Sequence, residues 1–384
     1  MDFGLSREQE MLRKTVREFA ENELRPREAE FSQPEGEWPY DVWNRIAELG
    51  LIGLAVPKEY GGSGMGHLAR MVAIEEISRV YPSWGAHLRG FGLVPYLLLN
   101  HGTEEQKKKY IPRLVKGEIQ GSLANTEATG GSDMIGIETT AKLDGDHYII
   151  NGRKVMISRS TVSDVFAVTA RTGERDRDIS AILIEANTPG FQRGRVENLI
   201  AHSRTSPVGE FTMTDCRVPV ANRVGAEHRG LGVILGAING AGRTGGAGIC
   251  LGIAQAAVEI GTKYAKERHL YGKPLTDLQS ILFWIGEMER HVVRARWLCY
   301  HAAWLLDQGK RPEEIRAEIA MAKLDASEAA LHNCLKAIEI HGAYGTATEF
   351  GLIRKFKAAL DMIAAAGSNN ISRLIMSGAT VEKY

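Results

Sequence analysis

Residues 363–373 near the end of the chain read IAAAGSNNISR. Gly367, Ser368, Asn369 and Asn370 offer hydroxyl, amide and main-chain groups to a ligand, yet the stretch holds no carboxylate or imidazole to move a proton. A second polar stretch, ANTEATGGSD at residues 124–133, has hydroxyls at Thr126 and Ser132 and N–H groups suited to a ring or a phosphate; taken alone it also reads as an ordinary loop. VMIS at residues 155–158 follows at a strand end. In KERHLYGKPLTDLQ, residues 266–279, Arg268 lies one turn before a break at Gly272 and Pro274, beside Tyr271, and would suit a phosphate. Thr276 and Gln279 have the spacing of a capping box. EIHGAYG, residues 339–345, reads either as a glycine-rich helix junction or as a close backbone approach to a pyrophosphate.

Residues 240–245, GAGRTG, match G-x-G-x-x-G, with Glu259 at the distance a dinucleotide fingerprint asks for. The flanks disagree. GICLGIAQAAVEIGTKYAKER continues at helical period where a βαβ unit needs a strand, so glycines that let a helix approach its neighbours are the better reading.

The elements that must position these stretches follow from the bulk of the chain. Its 384 residues are 44% hydrophobic, enough for two or three packed subdomains, and 47 Lys+Arg balance 47 Asp+Glu. That balance gives no global field for nucleic acid or an anionic membrane. Cys216, Cys250, Cys299 and Cys334 are widely spaced without metal-ligand spacing, which implies a reducing compartment and no metal. The start lacks a signal-peptide profile and no apolar run is long enough to span a bilayer, so a cytoplasmic, soluble protein is expected. Ser6 with Gln9 makes a capping box ahead of Leu12, Val16, Phe19 and Ala20 at helical spacing. Helical patterning lasts to about Lys116, broken by PKEYGGSGMG. Between Gly121 and Gly225 the period becomes that of strands, with Asn151-Gly152 at a predicted hairpin turn. Long helical runs then return. The expected fold is α+β: an N-terminal helical domain at 1–120, a middle antiparallel, barrel-like β domain at 121–229 and a C-terminal four-helix bundle at 230–384.

In order and spacing, these stretches together resemble the flavin-dependent acyl-CoA dehydrogenase family over essentially the whole chain. TEATGGSD resembles its T-E-P-x-A-G-S-D, RHLYGKP its R-x-x-F-G-x-P, GAYG its G-G-x-G, and AGSNNISR its E-G-T-(S/N)-x-I-x-R. The resemblance implies FAD, an acyl-CoA substrate and a homotetramer with FAD held partly between subunits. Thr126, Ser132, Met156 and Ser158 would meet the flavin, and Arg268, Tyr271, Gln279, Glu339, Gly342 and Gly345 its dinucleotide part. Ser368 and Asn370 would close the flavin pocket, while Ser132, Arg243 and Gly367 would meet the substrate.

Family chemistry needs a carboxylate to remove the α-proton of the thioester. By resemblance that position falls on Ala366, and the alternative position used by some branches falls on Gly242, just before Arg243. Met156 stands where the family has a tryptophan tied to transfer toward electron-transfer flavoprotein, which puts that partner's usual docking in question. Three readings follow: a flavoenzyme that handles a CoA thioester without the usual base, as the family's sulfinopropionyl-CoA desulfinase does with an N-terminal-domain arginine loosely matched by Arg89; a true dehydrogenase with a relocated base; or a flavin-binding subunit of a heteromer.

Overall fold

The computed structural model describes residues 4–33, 36–201 and 205–384. Along the chain run α1 (Arg7–Phe19), α2 (Glu28–Phe31), α3 (Tyr40–Glu48), α4 (Gly66–Val80), α5 (Pro82–Phe91), α6 (Leu93–His101) and α7 (Glu104–Val115). Strands follow: β1 (Gly121–Ala124), β2 (Thr140–Asp144), β3 (His147–Ser158), β4 (Val165–Arg171), β5 (Ile179–Glu185), β6 (Phe191–Val196), β7 (Val208–Pro219) and β8 (Arg223–Val224). The chain ends with α8 (Gly230–Ala237), α9 (Thr244–Glu267), α10 (Gln279–Asp307), α11 (Arg316–His341), α12 (Leu352–Ala364) and α13 (Asn369–Lys383). Two compact units form, one from residues up to 31, 67–86 and 243–384, the other from 32–66 and 87–242.

The first unit is helical. Its α1 begins as expected, with the Ser6 hydroxyl accepting from Gln9 N and the Gln9 side chain accepting from Ser6 N. Every residue of α4 from Ala69 to Val80 is buried, charged ones included, so those charges must pair inside. Arg296 and Tyr300 both donate to Glu75, at 2.7 Å each, while Arg79 bonds Glu259 at 2.7 Å and also pairs with Glu21. α9 is apolar on nearly all sides and buried, packing with α10 and α11, against which α12 and α13 also lie.

In the second unit the sheet runs in the order β6-β7-β3-β2-β4-β5-β8, with β1 also pairing β4. The pairing is mostly antiparallel, but β1 and one register point of β2 run parallel to β4. The continuous apolar runs of β4 and β5 are buried on both faces. Val165 and Ala167 join a core with Val94, Leu97, Tyr110 and Ile111 of α6 and α7, whereas Phe166 and Val168 join Ile150, Phe211 and Met213 inside the sheet. This period of two fixes the β domain against its own helices.

Two local expectations need correcting, and a third, the helical reading of residues 240–245, holds. Asn151-Gly152 makes no hairpin turn: β3 passes straight through it with a bulge against β7, and the chain reverses at residues 144–147, where Gly145 has φ +61°. Thr276 does not cap a helix through Gln279, because residues 275–277 form a 3₁₀ turn and α10 begins only at Gln279. Residues 240–245 are helical throughout, and a Cβ on Gly240 would lie 2.3 Å from the Tyr96 ring, so close packing explains that glycine.

Candidate functional site

In the β-containing unit the loop after β1 is tied to the end of β3. Val155 N donates to Thr126 O at 3.0 Å, and Glu127 and Gly130 exchange main-chain hydrogen bonds. The pairing of β3 with β7 shifts between Lys154 and Ile157, and in that bulge Met156 takes φ +57° with its side chain 47% exposed. Ser158 lies at the strand's end, its carbonyl accepting from the Ser122 hydroxyl at 2.6 Å. Thr126, Met156 and Ser158 are therefore carried on two segments held together by main-chain bonds. Ser132 is exposed further along the loop.

Sequence reasoning missed the group beneath this loop. Lys154 is fully buried and donates to Glu127 Oε1 (2.6 Å), Asn125 O (3.2 Å) and Thr169 Oγ1 (3.2 Å). Strand alternation was the available signal, since Lys154 is in phase with the buried Tyr148 and Ile150. Burial pulls the Lys154 ammonium down to about 8, while Glu127 works to hold it protonated.

Arg89, near the end of α5, is half-buried in the same unit. Arg159, almost completely buried, donates to Gly121 O at 2.7 Å and packs against Gly90, where a Cβ would meet its Nη1. Burial first and the Arg89 charge second pull Arg159 down to about 9. The buried His87 imidazole, whose Nε2 contacts Thr205 O, is kept neutral by burial and then by the Arg159 charge.

In the helical unit, residues 123 apart in sequence meet at the turn between α12 and α13. Arg243 Nε donates to Ala366 O at 3.2 Å, and its guanidinium lies so close to Gly367 that a Cβ there would stand 2.6 Å from Nη2. Burial alone pulls the Arg243 guanidinium down to about 10. Ala366 and Gly367 are both left-handed, with φ +58° and +86°. Helix bonding ends with Ala365 N to Asp361 O, so the next two amides lie beyond α12. The Ser368 hydroxyl then caps α13 by accepting from Ile371 N at 3.3 Å, and buried Asn369 accepts from Lys323 (2.7 Å) and Ser327 (3.0 Å). Asn370 is exposed and accepts from Arg373. In the β-containing unit, Gly242 is closely packed, since a Cβ there would stand 3.2 Å from Leu93 Cδ2.

The remaining predicted positions, Gly345 apart, lie at the surface of the helical unit. Arg268, Tyr271 and Gln279 are exposed, Tyr271 to 90% and with φ +54°. Glu339 is exposed and accepts from Lys336, while Gly345 is buried. Gly342 ends α11 with φ +60°, and a Cβ there would meet nothing within 4 Å.

Three consecutive stretches match family models, described as the acyl-CoA dehydrogenase N-terminal domain over residues 6–118, middle domain over 122–216 and C-terminal domain over 228–380. The chain belongs to the acyl-CoA dehydrogenase family. Within that family it is 38% identical over 383 residues to acryloyl-CoA reductase (NADH) of Anaerotignum propionicum, covering 98% of this chain and 95% of that protein. Butyryl-CoA dehydrogenase from Megasphaera elsdenii superposes with a TM-score of 0.95 at 31% identity, covering 99% of this chain and all of that one. PigA, solved with FAD and proline, superposes at 0.92 with 28% identity over the full length of both chains. The acyl-CoA dehydrogenase fold expected from the sequence, with helical, β and helical domains in that order, is thus the fold found.

Proposed function

We propose that this member of the acyl-CoA dehydrogenase family binds FAD and acts on an acyl-CoA thioester without removing its α-proton by a carboxylate at the family's usual positions. The observation that carries the reading is the turn at Ala366. It keeps the elements of a thioester site, main-chain amides at a helix end fixed by Arg243, but its side chain is a methyl group.

The residues present suit FAD. The loop bearing Thr126 and the bulge bearing Met156 and Ser158 offer small polar groups and main-chain atoms for a flavin ring. Exposed Arg268 and Gln279 supply donors for phosphate, and the open surface at Gly342 leaves room for a pyrophosphate beside a helix end. We assign Tyr271, Glu339 and Gly345 to the same dinucleotide portion, Ser368 and Asn370 to the flavin pocket, and Ser132, Arg243 and Gly367 to the substrate. FAD supplies hydride transfer when bound. The chain's own part is to polarise the thioester carbonyl with the amides at Ala366 and Gly367 and to fix those amides through Arg243.

Without a base at Ala366 or Gly242, an acidified α-carbon keeps its proton. A reaction consistent with that set is cleavage of the carbon–sulfur bond of a β-sulfinate, with no net electrons passed to FAD and no call on electron-transfer flavoprotein. The bonding pair stays on the β-carbon, which takes a proton from water, and the sulfur leaves as sulfur dioxide, which takes up the remaining hydroxide as hydrogen sulfite. Arg89 would hold such an anionic acyl end bidentately, in a field that Arg159 makes more positive. We place the protein in the cytoplasm as a homotetramer; no described helix is long and apolar enough to cross a membrane.

A second reading, a dehydrogenase or reductase with its base on another element, is favoured by the names of the similar proteins. Incubation with butyryl-CoA in D₂O separates the two. Substrate that binds but gains no deuterium at the α-carbon supports the base-free site; incorporation shows a base and establishes the second reading.

A further inference from the structure

Lysine is among the residues least often buried, and replacing a buried ion pair by apolar groups of like volume is often neutral or stabilising. A fully buried lysine in the middle of a strand therefore needs a reason beyond stability. Lys154 is the last residue of β3 in register with β7 before the bulge, paired with Phe211. Its ammonium reaches the loop on both sides of Thr126, at Asn125 O and at the Glu127 carboxylate, and reaches β4 at Thr169, whose hydroxyl donates to Asn125 Oδ1 at 3.0 Å. The same carboxylate accepts from Glu138 N (2.6 Å) and Thr139 N (3.2 Å), closing the far end of the loop. Immediately after Lys154, Val155 N turns to Thr126 O and Met156 enters its left-handed conformation.

We infer that Lys154, paired with Glu127, is a positioning residue for the cofactor: it sets the register in which Thr126 on the loop and Met156 on the bulge are presented together. This rests on the FAD reading above. Nothing in the clamp touches the reacting atoms; it acts through Thr126 and the bulge. At neutral pH both members are charged. Burial pushes the Glu127 carboxyl up, but the Lys154 charge and the hydrogen bonds to it bring it below its ordinary value, and Lys154 is pulled down only to about 8. Removing the cation alone leaves the carboxylate buried without its counter-charge, whereas changing both relieves that penalty without restoring the grip on the loop.

The test compares the full chain with Lys154→Met, Glu127→Gln and the double variant, reading FAD dissociation constant, thermal midpoint and amide hydrogen exchange of residues 124–139. Lys154→Met is expected to lower the midpoint, speed exchange in that segment and weaken FAD by about tenfold or more. The double variant is expected to regain much of the midpoint while FAD binding stays weak, a separation that a purely structural pair would not give. A double variant with unchanged FAD affinity overturns the inference even if exchange is faster. Should Lys154→Met fail to fold, Glu127→Gln and the double variant carry the same comparison. If the unaltered chain binds no FAD, the FAD reading falls, and exchange decides the clamp alone: acceleration confined to residues 124–139 upholds it, and unaltered exchange overturns it.

Discussion

The turn at Ala366 puts a residue with a Cβ into the left-handed region, which costs of order 1–2 kcal/mol, directly before a left-handed glycine. Such a conformation persists only where its surroundings impose it, and Arg243 does so through its bond to Ala366 O and its packing on Gly367. Gly367→Ala adds a methyl group 2.6 Å from Arg243 Nη2 at φ +86°, so we expect it to destabilise the chain by about 1–3 kcal/mol in a urea titration, with weaker acyl-CoA binding. The two sides of this contact were separately legible in the sequence, because residue types in a motif announce themselves. Their meeting was not, since a contact across 123 residues has no local signature. Lys154 was hidden for a different reason: lysine in a strand reads as a solvent-facing residue, and only its phase with Tyr148 and Ile150 marks it as buried.

At the scale of elements, the long amphipathic and apolar helices and the β block were plain from period alone, whereas punctuation misled. Asn151-Gly152 has the composition of a turn, but a bulge uses the same backbone freedom inside a strand, and sequence does not separate the two. The start of α4 gives a pH signature. Asp307, from the end of α10, accepts from His67 N (2.5 Å) and Leu68 N (2.9 Å), holding His67 at a site where burial, and then the Arg70 charge, pull its imidazole down to about 4. The unfolded chain takes up that proton near 6.5, so the stability His67 contributes is complete above 6.5 and is lost as pH falls from 6.5 to about 4. His67→Gln is expected to flatten that part of the thermal midpoint against pH profile; an unchanged slope would place the acid sensitivity on other groups.

At the scale of the molecule, family membership and fold were readable because several weak motifs fall in register along the entire chain. What the surface is for was less so. Phe283, Trp297 and Trp304 are exposed at whole-turn spacings on α10, and the proposed tetramer would use this face to meet another copy. Light scattering should give a tetramer for the 42.2 kDa chain and smaller species for Trp297→Asp/Trp304→Asp, while a monomeric unaltered chain would overturn the expectation that FAD is held partly between subunits. The base-free site is tested most directly by anaerobic absorbance titration of the FAD-loaded protein with saturated acyl-CoAs, alongside Ala366→Glu. We expect spectral perturbation without bleaching in the unaltered protein and bleaching once the carboxylate is supplied. Stoichiometric bleaching of the unaltered protein would contradict the assignment and show that another residue takes the α-proton.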